Sequence, residues 1–235
     1  AGFCDPERPS SLSARRLGEL EAEASASGNA PETPTDEEDD EYADPRPALL
    51  SFSNTDLLFS DDYLIAGNYH GFNTYDISNP DSPEHIASVV CPGGQGDVSL
   101  VGDLIIMSVQ EVRGRLDCGL EGVPESVSND RVRGIRIFDV SDFRSPTQVA
   151  AVQTCRGSHT HTVAQEADEN GNIYVYVSGT SRVRDDEELA GCSDDSPFEN
   201  PESALFRIEV IEIPEDNRAE AKIVNRPFIF SDPDS

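Results

Sequence analysis

Gly71-Phe72-Asn73-Thr74-Tyr75-Asp76-Ile77-Ser78, closed by Ser82-Pro83, is matched by Gly134-Ile135-Arg136-Ile137-Phe138-Asp139-Val140-Ser141, closed by Ser145-Pro146. The two copies stand 63 residues apart. That period is too long for a helical solenoid and suits four short strands plus an inserted loop. The repeat therefore predicts an all-β chain built from four-stranded antiparallel units, the blades of a β-propeller.

Outward from this pair, short alternating runs broken by Gly, Asn, Asp and Pro begin at Leu49, the texture of an all-β domain. Three units follow from the alternation. The first places strands A to D at 56–59, 63–66, 72–76 and 86–90. The second places them at 97–101, 104–109, 135–139 and 149–153, and the third at 162–165, 173–178, 206–213 and 221–224. Tight A-to-B turns are expected at Ser60-Asp61-Asp62, Gly102-Asp103 and Asn170-Gly171. Pro80, Pro83 and Pro146 fall outside the ladders, where a missing N–H is harmless. Three blades do not close a ring, which takes at least about four. The remaining blades are expected either beyond Ser235 or from another chain.

Residues 1–48 show no strand alternation, and Glu32–Asp44 holds eight carboxylates and no basic residue. Such a segment buries too little apolar surface to offset its ordering entropy. It is expected to be an acidic extension that orders only against a partner, with a short helix allowed over 13–24. The blades then occupy 49–235.

The strand-C pattern of aromatic, Asp, aliphatic and Ser, followed by Ser-Pro and a short apolar strand, resembles the LVIVD-repeat family. The likeness covers Asp56 to Val163 and loosens afterwards, where Ile211-Glu212-Ile213-Pro214 lacks the motif's Asp and Ser. It implies a secreted or surface-attached bacterial or archaeal propeller with no uniformly assigned activity.

A formal charge of −29 disfavours nucleic acid and anionic membrane surfaces as partners. The longest aliphatic run, Leu104-Ile105-Ile106-Met107, is far too short to cross a bilayer. Five cysteines, and an N-terminus Ala1-Gly2-Phe3-Cys4 without an initiator Met, point to a processed chain in an oxidising, extracytoplasmic compartment.

Propeller connectivity puts D-to-A links and B-to-C loops on one face. The links are Cys91–Asp97 and Cys155–His161; the long B-to-C insertions are 110–132, carrying Cys118, and 179–203, carrying Cys192. His70 joins them, whereas His85 is expected in a turn on the opposite face. Disulfides are expected among Cys91, Cys118, Cys155 and Cys192. Cys118 with Cys192 is the natural staple between insertions; Cys91 pairs with Cys155, or each link cysteine pairs with the adjacent insertion. Cys4 is left over.

Ser158-His159-Thr160-His161 is the sharpest candidate for chemistry. A His-x-His pair in extended chain points both imidazoles one way, which is half of a metal site. His159 and His161, with Asp97 as a carboxylate partner, are therefore the candidate ligands of a divalent transition metal; the alternative is a polar plug. Asp168-Glu169-Asn170-Gly171-Asn172 lacks the Gly and Glu placement of a calcium loop and is expected to be a hairpin turn. No nucleophile elbow, P-loop or dinucleotide fingerprint is present. The expectation is a binding or scaffold module of an extracytoplasmic assembly, contacting a protein partner or further blades; the alternative is a metal-dependent oxidoreductase or hydrolase.

Overall fold

The computed structural model describes residues 53–164 and 166–229. Their strands form three four-stranded antiparallel sheets. Sheet 1 consists of β1 (Asn54–Ser60), β2 (Tyr63–Asn68), β3 (Gly71–Asp76) and β4 (Glu84–Val90); sheet 2 of β5 (Val98–Val101), β6 (Leu104–Val109), β7 (Gly134–Asp139) and β8 (Thr147–Gln153). Sheet 3 consists of β9 (Thr162–Val163), β10 (Ile173–Val177), β11 (Glu209–Ile213) and β12 (Lys222–Asn225). Strands lie side by side in chain order, so every pairing joins strands consecutive in the chain.

The quoted repeat has a backbone cause. Gly71 and Gly134 open their C strands at φ of 136° and 143°, and a Cβ there would lie 2.0 Å from the Val89 carbonyl oxygen or 2.1 Å from that of Val152. Only glycine allows β3 and β7 to start so close to the neighbouring strand. At the other end, the Asp76 carboxylate accepts the Ser78 N–H at 2.9 Å, and Asp139 accepts both the N–H (2.9 Å) and hydroxyl (2.7 Å) of Ser141. These bonds hold both carboxyls below their ordinary pKa and fix the turn into the fourth strand.

Cross-sheet packing makes the core. Ile65 and Phe72 of sheet 1 meet Val98, Ile105, Met107 and Phe138 of sheet 2 in one cluster. The Phe72 and Phe138 rings contact edge to face at 5.2 Å. Leu104, Ile106, Ile135 and Ile137, on the other face of sheet 2, pack on Val175, Val177, Ile211 and Ile213 of sheet 3. Sheet 2 is thus buried on both faces, which explains its unbroken aliphatic run.

Three details differ from expectation. β4 starts at Glu84, so His85 lies in a strand instead of a turn, with its Nε2 hydrogen-bonded to Ser88 Oγ at 3.0 Å. β9 is two residues long, where four were expected. Its hairpin turn forms around Asp168, whose Oδ1 accepts the N–H groups of Asn170 and Asn172, both at 2.9 Å. β11 begins at Glu209 instead of 206, because Phe206 sits at φ 57°, outside strand geometry. The acidic extension expected over 1–48, its helix, Cys4 and Gln165 lie outside the described residues.

Candidate functional site

The links and insertions of sheets 2 and 3 are tied together at the same strand ends. Disulfides join Cys91 to Cys118 and Cys155 to Cys192, with Cα–Cα separations of 4.3 and 5.3 Å. Each bridge staples a link to the insertion of the sheet it enters. The expected Cys118–Cys192 staple is not formed, nor is Cys91–Cys155. The reason is topological: a link enters the first strand of a sheet, the insertion leaves the adjacent second strand, and the two cysteines arrive side by side.

The insertions are joined by charge. Glu188 lies between Arg131 and Arg184, accepting from Arg131 Nη1 through Oε2 and from Arg184 Nε at 2.6 Å through Oε1. All three side chains are buried, and Glu188 also accepts the Ser128 N–H at 2.9 Å. Arg131 further donates to the carbonyls of Ser126 (3.0 Å) and Val123 (3.4 Å), so one guanidinium gathers the turns of its own insertion. Ser181 Oγ completes the contact by donating to the Gln110 carbonyl at 2.8 Å.

Two further buried arginines seat the insertions on the sheets. Arg136 of β7 donates to Gln148 Oε1 (2.9 Å), the Leu116 carbonyl (3.4 Å) and the Pro92 carbonyl (3.5 Å), linking the strand to both arms of the first bridge. Burial draws its pKa down to about 10, which still leaves it charged at neutral pH. Arg207 donates to Glu209 Oε1 and contacts Cys155 Sγ, both at 2.9 Å.

The resulting platform presents Leu116, Leu120, Val127 and Phe198 to solvent, Leu120 at 73 % and Phe198 at 69 % exposure. Beside them the second insertion holds an open depression of about 650 Å³, lined in part by Arg184, Asp185, Asp186, Asp194 and Glu202.

A second cluster lies where the first strands of the three sheets approach one another. Asp56 Oδ2 accepts the Val98 N–H at 3.1 Å, and Asp97 Oδ2 accepts the His161 N–H at 3.2 Å. In both cases a carboxylate preceding the first strand's core latches the next sheet. Asp56 and Asp97 also interact with one another; burial first, and then Asp56, raise the Asp97 pKa above its ordinary value, although the His161 N–H opposes this. His161 Nδ1 lies 2.9 Å from Ser108 Oγ and 3.5 Å from Asp97 Oδ2, while its buried Nε2 has no hydrogen-bond partner. Burial lowers its pKa to about 4, so the ring is neutral at pH 7.

The structure brings His161 and Asp97 together but gives His159 a separate partner, Gln110 Oε1 at 2.7 Å. Among the described residues no three His, Cys, Asp or Glu side chains are placed to hold one metal ion. Nor is Ser108–His161–Asp97 a nucleophilic triad, because serine and carboxylate meet the same ring nitrogen, whereas the triad needs them on opposite nitrogens. What the cluster does in this geometry is join sheets. Asp56 was missed by sequence reasoning, yet it precedes Leu57 as Asp97 precedes Val98, a correspondence visible once the two A-to-B turns are superimposed.

No protein-family model matches the chain, and no curated protein matches it. Among the described residues no helix is long and apolar enough to cross a membrane.

Proposed function

We propose that the chain is part of a secreted or surface β-propeller of the LVIVD-repeat kind and serves as a binding module in an extracytoplasmic assembly. The observation that carries this is the insertion platform. Two long insertions with no counterpart in sheet 1 are fixed by two disulfides and one buried Arg131–Glu188–Arg184 cluster. Rigid loops lose little freedom on binding, so their exposed apolar residues form a preorganised contact surface. Leu120 and Phe198 are its anchors, and the surrounding carboxylates favour a partner with a basic rim. Disulfides support an oxidising compartment.

The test is crosslinking of the oxidised protein to the extracytoplasmic fraction of its source, followed by peptide mapping. Crosslinks concentrated on 110–132 and 179–203, and lost in a Leu120→Asp/Phe198→Asp double variant, support the reading. Crosslinks unaffected by the double variant overturn it. Stoichiometric metal in the purified protein that is lost in His159→Ala or His161→Ala would favour the metal-enzyme reading instead.

A further inference from the structure

The registers make the repeats superimposable residue by residue. Ser60 pairs with Tyr63 across one A-to-B turn and Val101 with Leu104 across the other, so Leu57, Phe59, Leu64 and Ala66 correspond to Val98, Leu100, Ile105 and Met107. Between the quoted copies, Tyr75 corresponds to Phe138. In sheet 2 these positions form the face buried against sheet 1. In sheet 1 the same positions form the face turned away from sheet 2, where Phe59 is 67 % and Leu57 53 % exposed. At the other end of the stack, Tyr176 and Val210 pair across β10 and β11 on the face opposite Val175 and Ile211, and Tyr176 is 41 % exposed. Among the described residues, then, no sheet packs on the front of sheet 1 or on the back of sheet 3, each the counterpart of a face already packed within the molecule.

We propose that the front of sheet 1 seats the back of sheet 3 of a second copy of this chain. The contact is heterologous, and applied twice it closes two copies into a ring of six sheets. It rests on the propeller reading above and extends it by naming what covers these two faces. Thr160 precedes His161 where Asp56 and Asp97 precede Leu57 and Val98, so the contact between copies has no carboxylate latch. Leu57 N–H, which such a latch would engage, is taken by its own neighbour Asp56 Oδ1 at 2.8 Å. The contact then rests on side-chain packing without a latch, weaker than the two internal ones, and the back face it uses carries Tyr174 and Glu212, bonded to each other at 2.9 Å, beside Tyr176 and Val210. With a formal charge of −29 on each chain, added salt strengthens it by screening repulsion.

Sedimentation velocity of the purified chain over a concentration series, at low and high salt, tests this. The expected result is a reversible two-chain species that is favoured by salt. Phe59→Asp and Tyr176→Asp, both at exposed positions with folding checked by circular dichroism, should each give a one-chain species. Their equimolar mixture should recover a two-chain species at the top of the series, because one wild-type front then meets one wild-type back. A wild-type chain that stays monomeric throughout overturns the proposal and assigns both faces to other sheets. So does a dimer broken by only one variant or by neither, or a mixture that fails to recover. None of these results touches the insertion platform, whose variants lie elsewhere.

Discussion

Sheets 1 and 2 are built on the same strand plan and differ in one loop. β2 turns into β3 through Tyr69 and His70 alone, whereas β6 reaches β7 through the 110–133 insertion. The short version has no cysteine and no buried arginine; the long one brings a disulfide, Arg136 under its base and a bond to the second insertion through Arg131 and Glu188. The same strand plan thus forms with and without the insertion, and the insertion is held by devices of its own. Covalent and ionic staples appear where strand hydrogen bonds do not reach.

Removing the centre of the ionic staple should have the largest effect. Glu188→Ala leaves two buried guanidiniums facing one another, a loss of about 3–5 kcal/mol. Chemical denaturation should show the loss, and hydrogen exchange should localise it to 110–132 and 179–203, sparing sheet 1. If sheet 1 loosens equally, the loop-versus-sheet division fails.

Cutting the covalent staples comes next. Cys91→Ser/Cys118→Ser and Cys155→Ser/Cys192→Ser should each cost about 2–4 kcal/mol. Limited proteolysis should then nick the insertion that has lost its bridge before the other. Non-reduced peptide mapping of the wild type should recover Cys91 with Cys118 and Cys155 with Cys192; a Cys118–Cys192 peptide would refute the within-repeat pairing.

Where the two sheets share a device, their responses should match. Gly71→Ala and Gly134→Ala each force a side chain into left-handed backbone against a carbonyl, and each should cost about 1–3 kcal/mol in thermal or urea unfolding. A cost at Gly134 alone would mean that the repeat is sequence likeness without a common backbone requirement.

The smallest effect is at the His161 cluster. His161 has a folded pKa of about 4 against an ordinary 6.5, so the unfolded chain binds more protons between those values. Its contribution to stability is complete above pH 6.5 and falls on acidification, by about 1 kcal/mol from pH 6 to pH 5. Asp97 works the other way, since its carboxyl is raised and favours the folded state in acid. Comparing urea midpoints of wild type and His161→Asn across this range isolates the imidazole: the variant's profile should be flatter, and parallel profiles would refute the shift.

The sheet plan was legible in the sequence because its causes are local. Gly71, Asp76 and Ser78 act within one hairpin, and their copies Gly134, Asp139 and Ser141 make the same bonds. The insertions were legible only as long loops. Arg131 and Glu188 meet across 57 residues with no periodicity between them, and nothing in composition distinguishes them from solvated charges. His159 and His161 were correctly placed on a link. Their partners, Ser108 near the end of β6 and Gln110 at the start of the insertion that follows it, come from a distant stretch of chain, and spacing within the link carries no information about those.

The order in which the bridged cysteines occur along the chain has a consequence for biosynthesis. Among the four, each pairs with its next neighbour, across 27 and 37 residues. As the polypeptide is delivered from its N-terminus, the first thiol of each pair meets its proper mate before any competitor from the following repeat has emerged. Oxidation in arrival order therefore yields the native connectivity among these four without the slow reshuffling of bridges mispaired among them.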